Sequence, residues 1–168
     1  MSAKSCGVVF TNKIKTKIDK PLKVNGKLLK MDKKVKFLGM IFDQKLTWDE
    51  HVSYIEDRCK GRLNLMRSLT GTKFGASKRC LLTIYRALIR SVLDYGAIAY
   101  DTAARRIKAR LDVLQGKALR ICCGAMVGTA TCALQNECRE QPLSLRRRKL
   151  QIQYSVKIKA IAITRQTA

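Results

Sequence analysis

The sequence of 168 residues predicts an α+β protein, in which a short N-terminal antiparallel β segment precedes an α-helical bundle. Apolar and polar residues alternate with a period of two in the first 43 residues, as in strands, and from Thr47 onward the period is about 3.6, as in helices. A hydrophobic content of 46% is that of a globular protein. We divide the chain into residues 1–45 with β-hairpins, a helical unit at 46–128, and a basic helical extension at 129–168.

Three stretches of the β segment predict strands. Residues 7–10 form a short apolar run, and Asn25-Gly26 separates two alternating segments, which predicts a tight hairpin because Asn-Gly favours the left-handed dihedral angles of a type I′ turn. Residues 35–42 predict one further strand with Gly39 inside it. Ten lysines and two acidic residues lie at positions 13–36, so the sheet has a lysine-rich face. Protection of sheet edges requires fewer lysines than this.

The first predicted helix covers residues 48–69. The sequence Thr47-Trp48-Asp49-Glu50 has the form of a capping box, in which Thr47 is the N-cap and Glu50 the third helical residue. Apolar residues then recur at steps of three and four, so one face of the helix is predicted to enter the core. These residues are Val52, Ile55, Cys59, Leu63, Met66 and Leu69.

Four further helices are predicted at residues 77–96, 102–122, 130–137 and from 144 onward. Gly96 is the predicted C-terminal cap of the second helix, whose wide apolar stripe makes it the central helix of the bundle. Pro142 is predicted to interrupt the helical pattern, and Ser144 is the predicted cap of the last helix. The stripe of the second helix comprises Leu81, Ile84, Tyr85, Leu88, Val92 and Tyr95, and that of the last helix Leu150, Tyr154, Ile158 and Ile161.

The charge balance indicates a polyanionic partner. Thirty-five Lys and Arg against 12 Asp and Glu leave a formal charge of +23, which repels itself unless a polyanion or counterions offset it. Nucleic acid is the first interpretation, an anionic membrane surface the second, and a merely basic surface the third. The uninterrupted apolar runs are far shorter than a membrane span, so we expect no transmembrane helix and no membrane partner.

The seven cysteines are interpreted as free thiols in a reducing, intracellular compartment, because their number is odd and the sequence opens without a signal-peptide pattern. A zinc site is the sharper alternative, but the paired CxxC spacing of structural zinc sites is absent. That alternative would use Cys122, Cys123, Cys132 and Cys138.

The sequence contains no recognisable active site. Asp49 and Glu50 could orient the single histidine, His51, as a general base, but no nucleophile has a suitable spacing, and a histidine near a helix start is usually a surface or packing residue. Gly-rich phosphate loops and clustered carboxylates are also absent, so no metal or cofactor is predicted for this chain.

Binding to nucleic acid through its phosphates has more support. Such contacts position a duplex without reading its bases, and most of the ten aromatic residues lie on apolar faces, which argues against a platform for base stacking. We therefore expect a backbone grip with little sequence preference. The predicted phosphate ligands are Lys23, Lys27, Lys30, Lys33, Lys34 and Lys36 on the strands, Arg105, Arg106, Lys108 and Arg110 on the third helix, and Arg146, Arg147, Arg148 and Lys149 on the last helix.

Five ordered segments of the chain carry a resemblance to a known family. The most specific one comprises FLGMIFD at 37–43, LTW at 46–48 and His51. The others are residues 3–11, 82–96 (ending RSVLDYG), 114–125 and 142–147. Together they resemble the reverse transcriptases of non-LTR retrotransposons of the LINE and jockey-like type.

The resemblance implies the C-terminal part of a right-hand RNA-directed DNA polymerase, with the end of the palm at 1–45 and the thumb from 46. Phe37, Leu38 and Gly39 would fall on the primer-grip hairpin, whose backbone places the 3′ end of the primer. The implied partners are RNA, RNA–DNA duplex and the upstream palm and fingers, in the nucleus or cytoplasm. Mg²⁺ would bind palm aspartates that have no counterpart here. The alternatives are a retained nucleic-acid or protein interaction module, and a decayed copy without function.

Overall fold

The computed structural model describes residues 6–11, 22–24, 26–71 and 75–166, and it has the α+β class that the sequence predicts. The strands are β1 (Cys6–Gly7), β2 (Lys23–Val24), β3 (Lys27–Leu28), β4 (Lys30–Met31), β5 (Lys34–Phe37) and β6 (Met40–Asp43). The helices are α1 (Asp49–Ser68), α2 (Lys78–Ile84), α3 (Ser91–Asp94), α4 (Ala97–Tyr100), α5 (Arg105–Cys123), α6 (Thr131–Cys138) and α7 (Leu143–Gln166). A π-helical segment, Tyr85–Arg90, joins α2 to α3.

The described strands form three pairs. β2 and β3 are antiparallel, which confirms the hairpin predicted around Gly26, whose φ is 76°; Asn25 lies outside the described residues. β1 and β4 add a parallel pair to the predicted β segment, and β1 covers Cys6–Gly7 rather than residues 7–10.

The strand predicted at residues 35–42 is instead the antiparallel hairpin of β5 and β6. Leu38 and Gly39 both have positive φ, 46° and 78°, and two successive left-handed residues reverse the chain. The apolar run continues across this turn, so its periodicity does not reveal the reversal.

The start of α1 is held by Asp43 rather than by the predicted capping box. The Asp43 carboxylate accepts hydrogen bonds from the backbone N–H and the hydroxyl of Thr47, both at 2.9 Å, and from the backbone N–H of Trp48 at 3.0 Å. Burial alone would raise the pKa of Asp43, but these donors favour the carboxylate and the pKa is lowered. Trp48 occupies the N-cap position with a left-handed φ of 66°, so Thr47 is not the cap.

The core lies between α1, α5 and the helical run from α2 to α3. The predicted apolar line of α1 is buried except for Leu69. In the second helix, Ile89 and Leu93 are buried where Leu88 and Tyr95 were predicted, because the wider turn of the π segment rotates the following residues relative to a period of 3.6. The helix before Gly96 ends at Asp94 with Tyr95 as its C-cap, and Gly96 is the N-cap of α4.

The last helix begins at Leu143, so Ser144 lies inside its first turn and is not the predicted cap. Leu150 is partly buried, whereas Tyr154, Ile158 and Ile161 of the predicted apolar line are exposed. Among the described helices, none combines the length and apolarity that crossing a membrane requires.

Candidate nucleic-acid interface

The turn between β5 and β6 exposes apolar side chains to solvent, and Tyr95 holds its backbone. Phe37 is 61% exposed and Leu38 72% exposed. The Tyr95 hydroxyl donates a hydrogen bond to the Leu38 carbonyl, and a Cβ at Gly39 would lie 3.5 Å from the Tyr95 ring. Tyr95, which follows α3, therefore attaches the turn to the helical unit.

A cleft of about 610 Å³ opens between this turn, α1 and the π segment. We call it the turn cleft. Its basic side chains, Arg58 and Arg62, lie one helical turn apart on α1, off the buried face. Arg62 donates to the carbonyl of Leu88 in the π segment, which fixes its guanidinium on the cleft wall. The remaining lining residues are Leu38, Gly39, Ala87, Leu88, Ser91, Val92 and Tyr95.

Tyr54 links the lysines of the hairpin to the arginines of this cleft. Lys36 lies with its Nζ 4.4 Å from the Tyr54 ring centroid and donates to its hydroxyl at 3.2 Å. The guanidinium carbon of Arg58 lies 5.6 Å from the same centroid. The hydrogen bond from Lys36 lowers the pKa of Tyr54. Two cations thus lie against one half-buried ring beside the turn cleft.

The other predicted strand lysines are dispersed. Lys34 pairs with Glu50 at 2.9 Å, and Lys30 pairs with Asp32 at 3.3 Å. Lys23 and Lys33 are exposed, and the side chain of Lys27 lies outside the described residues.

Four of the eight predicted helix cations bind carboxylates of the chain itself. They comprise Arg110, which bridges Asp49, Ser53 and Glu56; Arg146, which pairs with Asp94; and Arg147 and Lys108, which share Asp101. The pairs of the three arginines join residues at least 46 positions apart in the sequence, whereas Lys108 pairs locally with Asp101. The four cations therefore have partners within the fold. Arg105, Arg106, Arg148 and Lys149 are exposed and keep their positive charge available.

His51 is a packing residue at the joint between the hairpin and α1, as the sequence indicated. It is 1% exposed, and its Nδ1 accepts the backbone N–H of Ile41 at 3.4 Å. Its ring contacts Trp48 and Tyr100, with centroids 6.0 and 5.6 Å away. Burial lowers its pKa, so the imidazole is neutral.

The residues that the hypothesis of a general base would need are engaged elsewhere. Asp49 pairs with Arg110 and Glu50 with Lys34, so neither orients His51. Across the described ranges, no group of three or more His, Cys, Asp or Glu side chains could hold a metal ion. This includes the four cysteines considered for zinc, of which Cys132 is exposed.

Sequence reasoning missed Tyr54, Arg58 and Arg62. The available signal was the spacing of Arg58 and Arg62, four residues apart and outside the apolar line of the first predicted helix. The proximity of the hairpin turn is a tertiary contact that the spacing does not contain.

Curated RNA-directed DNA polymerases are similar to this chain in sequence. The chain is 29% identical over 126 residues to an RNA-directed DNA polymerase from the mobile element jockey of Drosophila melanogaster, covering 74% of this chain and 14% of that protein. It is 32% identical over 125 residues to the jockey polymerase of Drosophila funebris, covering 74% and 13%. A probable RNA-directed DNA polymerase from transposon BS of Drosophila melanogaster is 27% identical over 117 residues, covering 70% and 13%.

The chain thus spans about 13–14% of the length of these curated relatives. No protein-family model matches it. No solved structure matches it either.

Proposed function

We propose that this chain, which is related in sequence to the RNA-directed DNA polymerases of non-LTR retrotransposons, is a segment of such a polymerase that grips the template–primer duplex by its backbone. The turn cleft is the observation that carries the proposal. An exposed, anchored hairpin turn stands beside an open cleft whose walls carry two arginines. We assign Phe37, Leu38 and Gly39 to the primer grip and the helices from α1 onward to the thumb.

The chemistry of the turn cleft suits a sugar–phosphate backbone. Guanidinium groups bind phosphate oxygens through a planar fork of donors, so Arg58 and Arg62 supply charge and orientation. The turn contributes backbone shape and apolar contact instead of charge, because Phe37 and Leu38 carry no ionisable group. Arg105, Arg106, Arg148 and Lys149 add exposed charge elsewhere on the helical unit. Such a surface holds a duplex with little dependence on its sequence.

The proposed role is binding and not bond formation. Polymerisation of nucleotides by these polymerases uses metal ions held by clustered carboxylates. The acidic residues of the described ranges do not form such a cluster, so we assign no catalytic step to this chain. We propose that the palm and fingers of the polymerase supply those ligands as its partners.

Binding of a fluorescent RNA–DNA hybrid, measured by anisotropy, tests the proposal. Arg58→Gln should weaken binding and lower the slope of log Kd against log salt concentration by about 0.9, the share of one phosphate contact. The matched control is Arg79→Gln, which removes one positive charge from an exposed position of α2. Arg79 does not line the turn cleft. Equal affinity and slope in the two variants would contradict the role of the turn cleft.

A further inference from the structure

A second cleft, of about 200 Å³, lies where the π segment meets the chain between α6 and α7. We call it the basic cleft. Its ionisable lining residues are Arg86, Arg90, Arg139, Glu140, Arg146 and Lys149. The lining residues of the two clefts differ, but both clefts draw on the π segment: Ala87 and Leu88 line the turn cleft, and Arg86 and Arg90 line the basic cleft.

The charge of the basic cleft is unbalanced. Five cations line it, and the nearby carboxylates are Glu140 and Asp94, which leaves a formal charge of +3. The Glu140 side chain is 5% exposed and is shared by two arginines, with Arg86 Nε at 2.6 Å and Arg90 at 3.0 Å. One carboxylate thus holds two guanidinium groups at the opening of a small cavity. The remaining positive charge favours an anionic ligand at this site.

Buried polar contacts fix the floor of this cleft. The amide of Gln115, which is 1% exposed, donates to the Gln141 carbonyl at 3.0 Å and to the Tyr85 hydroxyl at 3.3 Å. Gln135 donates to the Gln115 side-chain oxygen at 2.8 Å. The backbone beside Glu140 is therefore held by a network that joins three helical elements, so Glu140 and the two arginines that it binds are positioned before any ligand arrives.

Arg139 lies next to Glu140, at the end of α6. It has a left-handed φ of 51°, a position where helices usually place glycine or asparagine. Arg139 and Lys149 are both exposed, and in the described part of the chain neither forms an ion pair within 4 Å.

We propose that the basic cleft binds a phosphate group of a nucleic-acid strand, as a second contact separate from the turn cleft. Arg139 and Lys149 supply the charge that the phosphate neutralises, and the pair held by Glu140 orients its oxygens. The inference rests on the proposed function, because that function makes nucleic acid the source of the phosphate. Free phosphate or pyrophosphate has the same chemistry and is distinguished by the test.

The test compares the double variant R139Q/K149Q with the control K60Q/R79Q, which removes two charges from exposed positions outside the basic cleft. With the RNA–DNA hybrid we expect the double variant to lower the salt slope by about 0.9, the share of one phosphate contact, and to raise Kd by about tenfold or more. The control pair should change both quantities little. Equal behaviour of the two double variants would overturn the inference. The single variant K149Q, on the exposed face of α7, repeats the test if R139Q/K149Q does not fold.

A second arm identifies the source of the phosphate. Inorganic pyrophosphate is added to the wild-type chain and to R139Q/K149Q, and the thermal unfolding midpoint is recorded at constant ionic strength. Stabilisation of the wild type alone, together with equal hybrid affinity of both chains, would assign the cleft to a free anion and overturn the nucleic-acid proposal.

The two proposals can fail separately. If the wild type binds the hybrid and Arg58→Gln weakens binding while R139Q/K149Q matches its control, only the basic cleft is refuted. If the wild type does not bind the hybrid at all, the proposed function fails, and with it the nucleic-acid source of the phosphate.

Discussion

Replacing Gly96 with alanine perturbs the contact that joins the hairpin to the helical unit. Gly96 has a φ of 68°, and a Cβ there would lie 2.6 Å from the Met40 sulfur, on the strand that follows the hairpin turn. Gly124 has a similar φ of 61° with no atom within 4 Å of the added Cβ. The two glycines therefore separate backbone strain from the contact with Met40.

The expected magnitudes follow from these geometries. A left-handed alanine costs about 1–2 kcal/mol, which is the whole expected loss for Gly124→Ala. Gly96→Ala must also displace Met40, which is partly buried against the core. Because the end of a methionine side chain is flexible, the added cost lies near the lower end of about 1–3 kcal/mol for overpacking. We expect Gly96→Ala to reduce the free energy of unfolding by about 2–3 kcal/mol.

Thermal unfolding followed by far-UV circular dichroism measures the difference. A loss of 1 kcal/mol lowers Tm by about 2–4 °C in a chain of this size, so Gly96→Ala should unfold at the lower temperature of the two. Shortening the blocking side chain in the double variant Gly96→Ala/Met40→Ala should make the two substitutions non-additive. Equal Tm values for the two glycine variants, or strict additivity with Met40→Ala, would refute the proposed packing.

Three further predictions concern charge and burial. Glu140→Gln should lower the free energy of unfolding, measured by urea titration, by about 1–3 kcal/mol, because Arg86 and Arg90 lose the buried carboxylate that they share. The loss is limited because both arginines keep partial access to solvent. An unchanged urea midpoint would contradict the ion pairs. The pKa of His51 is lower in the folded chain than in the unfolded chain, so as the pH decreases below the ordinary value of 6.5 the unfolded chain binds the proton more readily and stability should fall. The free energy of unfolding of His51→Phe should fall less between pH 7.5 and 5.5. An identical fall would contradict the burial of a neutral imidazole. A thiol reagent should modify exposed cysteines before buried ones, since burial raises the pKa of Cys122 and Cys138 to about 12. Equal rates of modification for all cysteines would contradict the assignment of the buried cysteines to the core. The fast group is Cys6, Cys80 and Cys132, and the slow group is Cys59, Cys122 and Cys138.

Periodicity predicted the helical core well where the backbone is regular. The apolar line of α1 is buried almost as its spacing indicates. The prediction failed in the second helix, because the burial of Ile89 in place of Leu88 depends on a π segment that a fixed period of 3.6 does not contain. The capping box failed because the Asp43 carboxylate, four residues before Thr47, takes both of the Thr47 donors.

The phosphate ligands predicted from the sequence stay a prediction, and the sequence does not show which of these cations pair within the fold. Arg110, Arg146 and Arg147 have the composition of phosphate ligands, but their partners Glu56, Asp94 and Asp101 lie 46–54 residues away in the sequence. No local spacing distinguishes an arginine that will pair across the fold from one that stays exposed. Phe37, Leu38 and Gly39 could be placed on a hairpin only through the resemblance, since the periodicity indicated one continuous strand.

The most direct test of the central claim is the salt dependence of hybrid binding by the wild-type chain. Anisotropy titrations with an RNA–DNA hybrid at several concentrations of monovalent salt give the slope of log affinity against log salt. If Arg58 and Arg62 each contact one phosphate, the slope should be negative and at least about 1.8 in magnitude, with further contacts making it steeper. A slope near zero, or affinity that is indifferent to salt, would contradict a backbone grip by this chain.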